Sequence, residues 1–236
     1  MRARKADKEQ FAGIVTAVKA RIRLLRSFDQ ISHAYQGYTL VLDATIGGVA
    51  QDELRITIGP KTHEQHCFRI GDQVAGLAVP IANPRHEWAT HYRVSGLRVV
   101  QRGGTDQDVP ANPEGGIAPQ LPEYRDRGHR RLDGRTYRQH CPRCPFGLVM
   151  ATEITIDQWN PQKKQWRLET HCYGPRDCPR YRPGKPYRVQ GRKPWMVWVD
   201  DDAEREQQDA EWLRRRCQEH GLAAGDSPEA QVTKDE

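Results

Sequence analysis

Cys141-Pro-Arg-Cys144-Pro-Phe-Gly147 and Cys172-Tyr-Gly-Pro-Arg-Asp-Cys178 bracket the stretch that decides how the second half of this 236-residue chain folds. Two thiols one tight turn apart, matched by a second pair, supply the four soft ligands that a tetrahedral Zn²⁺ takes. Between the pairs run Phe146 to Trp159 and Gln165 to Cys172, two β-rich runs joined at Asn160-Pro161. That pattern predicts a hairpin, which returns Cys172 toward Cys141 and Cys144. His140 and His171 are alternate ligands, but a residue next to a strand cysteine faces the other side. A closed four-cysteine site leaves no coordination position for a substrate, so the expected metal is structural. A [4Fe–4S] cluster takes the same four thiolates and is the alternative. A redox disulfide is the third use of such pairs.

From Arg176, around and beyond Cys178, the chain alternates cations with flat rings as far as Trp198. Guanidinium groups meet phosphates bidentately, and aromatic faces stack on unpaired bases. Arg176, Arg180, Tyr181, Arg182, Lys185, Arg188, Arg192 and Lys193 are therefore candidate nucleic-acid contacts. Lys163 and Lys164, at the hairpin tip with Trp159 and Trp166 nearby, extend the set. The competing reading makes the tryptophans the core of a small ribbon and the arginines its solvated rim. Charge is unevenly spread. Residues 121–199 hold 17 Lys/Arg against 7 Asp/Glu, residues 1–120 hold 15 against 12, and residues 200–236 hold 5 against 12. A basic middle before an acidic end points to a polyanionic partner.

Upstream, the text is β-like from Phe11 to about Val100. Phe11 to Phe28 suits a long, bent first strand. Tyr38 to Asp43 and Leu54 to Ile58 follow, separated by a turn at Gly47-Gly48. Phe68 to Val79 and His91 to Val100 complete five candidate strands, and Leu54, Ile56 and Ile58 share one face. Arg21 and Arg23 on the first strand and Tyr35 and Tyr38 at the second are candidate nucleic-acid contacts of this half. Eight of the 22 residues from Arg102 to Glu123 are Gly or Pro, which reads as a linker. Asp200-Asp-Asp202 opens a helix whose last turn carries Arg214-Arg-Arg216, complementing the helix dipole. The expected organisation is a basic arm at 1–10, a β-barrel at 11–101, a linker at 102–123, the cysteine module at 124–199, a helix at 200–220 and a disordered tail at 221–236.

Cys-Pro-Arg-Cys followed by Pro-Phe-Gly resembles the first knuckle of zinc ribbons, although five residues rather than two separate Cys172 from Cys178. Phe68-Arg-Ile-Gly-Asp-Gln-Val, leading to a last strand near Arg93-Val-Ser-Gly-Leu, resembles the approach to the fourth strand of OB-fold domains. The two resemblances imply a mainly β protein: an OB-like five-stranded barrel, then a zinc-ribbon module, then a C-terminal α-helix. The order is similar to that of RNA-exosome cap subunits. Accessory proteins acting on acyl carriers combine the same modules in reverse.

Enzyme signatures are weak. There is no phosphate-binding GxxxxGK[ST] loop and no GxSxG elbow. His86-Glu-Trp-Ala-Thr-His91 spaces its histidines one residue too far for a zinc-protease helix, and His63-Glu-Gln-His66-Cys67 offers metal-binding side chains but reads first as a polar loop or strand edge before Phe68. Met1-Arg-Ala-Arg-Lys5 is followed by no apolar signal region, and no run is long enough to span a bilayer. With paired cysteines suited to a reducing compartment, the expectation is a cytoplasmic protein. It is read as binding single-stranded DNA or RNA through two linked modules, whose tethering raises avidity. The alternative is an adaptor whose ribbon and C-terminal helix, with Trp212 and Leu213, dock protein partners.

Overall fold

The computed structural model describes residues 7–27, 30–103, 117–200 and 215. Most of the basic arm, the middle of the Gly/Pro segment and, Asp200 and Arg215 aside, the expected C-terminal helix and tail lie outside these residues; Asp200, expected to open that helix, instead ends a strand. Strands β1 (Glu9–Arg26), β2 (Ile31–Ile46) and β3 (Val49–Ile58) form an antiparallel meander. Gly47 and Gly48, with φ of 55° and 83°, make the two-residue turn between β2 and β3. Such a turn needs positive φ at both central positions, which glycine adopts without a Cβ clash. Helix α1 (Pro60–His66) follows where a polar loop was expected, with Pro60 pre-set for a first helical turn.

Strands β4 (Gln73–Pro80) and β5 (His91–Gln101) close a ring in the order β1-β2-β3-β5-β4, with β4 and β2 both paired to β1. All joins are antiparallel except β3–β5, which meet in parallel at the single pair Ile56↔His91. The ring's interior holds Phe11, Val18, Leu40, Leu42, Leu54, Ile56, Phe68 and Val74. Leu54, Ile56 and Ile58 share the inner face as the alternation predicts. The fourth strand starts later than the sequence suggests. Asp72 is fully buried and accepts from the amides of Arg69 (3.1 Å) and Gly103 (3.0 Å) and from the Arg102 guanidinium (2.9 Å). Those bonds hold Phe68–Asp72 as a turn.

The C-terminal end of the Gly/Pro segment is docked rather than free. Ala118 is buried, Pro119 O accepts from the Tyr38 hydroxyl at 2.9 Å, and helix α2 (Leu121–Arg127) begins inside the expected linker. After β6 (Arg130–Arg131) and α3 (Gly134–His140) come the long hairpin β7 (Gly147–Thr155) and β8 (Lys164–Cys172), then the short hairpin β9 (Tyr187–Gln190) and β10 (Val197–Asp200). β6 pairs with β8 and β8 with β7, all antiparallel.

The far end of β1 pairs in parallel with β7 from Arg23↔Ala151 to Arg26↔Ile154. Ring and hairpin therefore belong to one eight-stranded sheet, β2-β3-β5-β4-β1-β7-β8-β6. A second core fills the junction, with Ala20, Ile22 and Leu24 of β1 against Tyr124, Phe146, Leu148, Met150 and Tyr173. The two halves are thus held by packing and shared hydrogen bonds, where the Gly/Pro composition implied a tether. No helix among the described residues is long and apolar enough to cross a membrane.

Candidate metal centre and nucleic-acid interface

Cys141 is the C-cap of α3, whose N-cap Asp133 accepts from the amides of Arg135 and Thr136, both at 2.9 Å. Those bonds pull the Asp133 carboxyl below its usual range. The Cys144 amide returns to Cys141 O at 3.2 Å, closing the first cysteine turn. Cys172 ends β8 directly opposite Gly147. A Cβ on Gly147 would stand 2.6 Å from that of Cys141, so only glycine lets the strand start there. In the second loop the Gly174 amide donates to Cys172 Sγ at 3.3 Å, and the Cys178 amide to Pro175 O at 3.3 Å.

Two buried cations hold these loops, and neither was foreseen. Lys19 on β1 is 1% exposed and donates to the carbonyls of Cys141 (2.6 Å), Cys144 (2.5 Å) and Gly147 (2.8 Å). Burial lowers its pKa to about 8, an effect opposed by the neighbouring Cys144, Cys141 and Cys172. Arg130 on β6 does the same for the longer second loop. It donates to Gly174 O (3.3 Å), Pro175 O (2.7 Å) and Arg176 O (3.3 Å), and stacks 4.0 Å over Tyr181. The sequence signal for Lys19 was a lone cation inside the mainly apolar run from Ile14 to Ala20.

Cys141 and Cys172 are buried side by side with Leu132, and Cys144 packs against them. Burial, then the charges of Cys144 and Cys172, pushes the Cys141 thiol up to about 12; Cys178 adds to the effect and Lys19 opposes it. Burial also raises Cys172. The four thiols thus act on one another electrostatically. As placed, however, no three His, Cys, Asp or Glu side chains among the described residues form a group arranged to hold an ion. Both observations hold together if the backbone gathers the loops while the sulfurs do not share one focus. His140 is exposed. His171 is buried 3.8 Å from Glu169 and 5.1 Å from the His129 ring. Burial, then Arg26, His33 and Arg131, keeps it neutral, with its pKa down to about 3.

The ring residues expected to touch nucleic acid are mostly engaged elsewhere. Arg21 and Arg23 both pair with Glu87, and Arg23 also lies 5.2 Å over Trp166. Trp166 also stacks with His86 at 4.4 Å, which occupies this tryptophan within the protein. Tyr35 is half-buried under Arg125. Tyr38 corrects its assignment outright. It is 0% exposed, packs 4.0 Å from His63, and has its hydroxyl raised to about 12 by burial, so no base can stack on it.

The hairpin tips differ. Trp159 is 87% exposed and Trp195 is 74% exposed. Arg192 reaches Asp157 at 3.8 Å, and Asp157 also accepts from the Trp159 amide, so the β9–β10 turn is joined to the β7–β8 turn. Lys193 lies 5.1 Å over Trp195, and Lys163 is exposed at the other tip. Lys164 is ion-paired with Glu153. Arg188, Arg180, Arg182, Lys185 and Arg176 are exposed along the flank, whereas Tyr181 is half-buried and donates to Arg131 O at 2.8 Å. The cation–aromatic alternation therefore yields a surface at the tips, with Trp159 and Trp195 as its rings. Comparison with protein-family models, curated proteins and solved structures finds no match.

Proposed function

We propose that the chain binds single-stranded nucleic acid, DNA or RNA, across the two joined hairpin tips. The observation that carries this is the pair of exposed tryptophans, Trp159 and Trp195, ringed by Lys163, Arg192 and Lys193. An indole so exposed forgoes the stabilisation that burial would bring, on the order of 1.5–3 kcal/mol for a large apolar side chain. Stacking on unpaired bases recovers it, at roughly 1–3 kcal/mol per base, while the cations follow the phosphates. Arg188 and the exposed cations of 176–185 extend the track toward the cysteine loops.

In this reading the five-stranded ring is an OB-type barrel, supported by its closure and its order β1-β2-β3-β5-β4. The cysteine loops are a zinc ribbon held by Cys141, Cys144, Cys172 and Cys178. The donor chemistry fits: four cysteines on loops clasped by Lys19 and Arg130, with an amide already directed at Cys172 Sγ. Holding one ion would require the four sulfurs to turn to a common focus, a change between staggered side-chain wells. Bound zinc would supply a structural cross-link between the two loops.

Equilibrium titration of fluorescent oligo(dT) and oligo(U) into the full chain tests the reading. Wild type is expected to bind with affinity falling steeply as salt rises. Trp159→Ala and Trp195→Ala are each expected to weaken binding about 5- to 100-fold while leaving the melting temperature unchanged. No binding to either strand at low salt overturns it. A partner that stays bound through nuclease treatment and contacts the same tips would favour the adaptor.

A further inference from the structure

Three irregularities in the ring converge on one place. Against β1, strand β2 carries one extra residue where Arg21↔Gly37 steps to Ile22↔Tyr35, and that residue is Gln36. Against β4, strand β5 carries an extra residue between the pairs Ser95↔Leu77 and Tyr92↔Val79, and another between Arg98↔Ala75 and Ser95↔Leu77. Bulges of this kind re-aim side chains and gather beside binding sites. Arg93, in the first β5 bulge, has φ of 52°, a left-handed conformation that costs a non-glycine residue of order 1 kcal/mol. Gly96, in the second, has φ of 60°.

The bulges border an open cleft of about 450 Å³ at the seam where β3 and β5 part beyond Ile56↔His91. That volume falls in the range of small-molecule sites. Gln36, Thr62, Arg93, Val94 and Leu97 line it, together with Arg21. Glu87 already neutralises Arg21. The Arg93 guanidinium is stacked 5.0 Å over Tyr92, and no carboxylate among the described residues pairs with it. Gln36 lines the cleft, and its Oε1, buried beneath the surface, accepts no hydrogen bond from the protein, so the amide meets a ligand by turning outward.

We propose that this cleft binds a single adenine nucleotide, with Gln36 reading the base edge and Arg93 holding the phosphate. A primary amide offers one acceptor and one donor side by side, which matches the N6 amino group and N7 of adenine. Val94 and Leu97 give the base an apolar wall, and Thr62 lines the same space. The nucleotide can be free or one unit of a strand; the chemistry recognised is the same. The site is built from the ring alone and does not require the tip platform.

Calorimetric titration of AMP, adenosine, UMP and oligoadenylate into the full chain decides it. AMP is expected to bind at least tenfold tighter than UMP, and Gln36→Leu to reduce AMP affinity about tenfold or more. Glycine adopts the φ of position 93 without strain, so Arg93→Gly keeps the fold. It is expected to weaken AMP but leave adenosine unchanged. A response to these variants with AMP identifies a free nucleotide, and one with oligoadenylate alone identifies a unit of a strand. If neither ligand responds to either variant, the inference is overturned. Oligonucleotide binding that depends on Trp159 and Trp195, with neither AMP nor oligoadenylate responding to the Gln36 and Arg93 variants, sinks the cleft and leaves the platform standing. AMP binding with no oligonucleotide binding does the reverse.

Discussion

Lys19 and Arg130 each spend a full positive charge on three backbone carbonyls, and that choice fixes where the cysteine loops sit. A hydrogen bond from a charged donor contributes about 1.5–3 kcal/mol, and a carbonyl left buried without a donor costs about 1–3 kcal/mol. Lys19→Met strips three carbonyls at once, so it is expected to destabilise the chain by about 3 kcal/mol or more in urea unfolding. In the proposed zinc ribbon the same substitution is expected to weaken retention of added zinc against a chelator, because Cys141 and Cys144 lose their support. His63 makes a separate, pH-dependent contribution. It is 1% exposed, and burial holds its pKa below 6.5 despite its contact with Ala118 O at 3.3 Å. The unfolded chain takes up a proton near pH 6.5 and the folded chain only at lower pH. Stability is therefore intact above that value and is lost as pH falls, by up to about 1.4 kcal/mol per unit. Urea midpoints from pH 7.5 to 5.0 check this, and His63→Gln is expected to flatten the slope by one proton's worth.

At the scale of elements, what the sequence shows depends on which bonds decide each segment. The alternation at Leu54, Ile56 and Ile58 and the Gly47-Gly48 turn are local rules, and both are read correctly from the text. The cysteine hairpin is legible for the same reason: turn chemistry at Asn160-Pro161 separates two β-rich runs. Bulges leave no such mark, because the extra residue on β2 or β5 exists only relative to a partner strand. The site at Gln36 and Arg93 was therefore invisible, while Tyr38 looked available because nothing local says that Pro119 and His63 cover it. Asp133 is an intermediate case: Asp before Gly-Arg-Thr is a cap signature, but its use is to set the helix that delivers Cys141. Removing the cap with Asp133→Ala is expected to cost about 1 kcal/mol. It is also expected to speed zinc loss, measured as chelator-driven release, with the tip tryptophans unaffected.

At the scale of the molecule, β1 is the shared member. Its first half closes the ring with β2 and β4, and its last residues, Arg23 to Arg26, carry β7. Leu24, Ala20 and Ile22, all buried, face the hairpin core rather than the ring core. A fragment of residues 7–103 would place these three apolar side chains and the Lys19 ammonium in contact with water or with each other. At roughly 25 cal/mol per Å² of apolar surface, losing that cover removes several kcal/mol from a domain whose whole stability is about 5–15 kcal/mol. The fragment is accordingly expected to aggregate or melt well below the intact chain. Residues 7–200 are expected to unfold in one cooperative transition, seen alike by strand circular dichroism and by tryptophan fluorescence. Trp88 is the one tryptophan of the ring half and the other five lie at 159 or beyond, so the difference between wild type and Trp88→Phe reports the ring and the Trp88→Phe signal reports the rest. Coincident midpoints are the expected result. A soluble 7–103 fragment with a melting temperature within a few degrees of the full chain would mean that the ring is independent of the hairpin, and that the shared strand couples nothing.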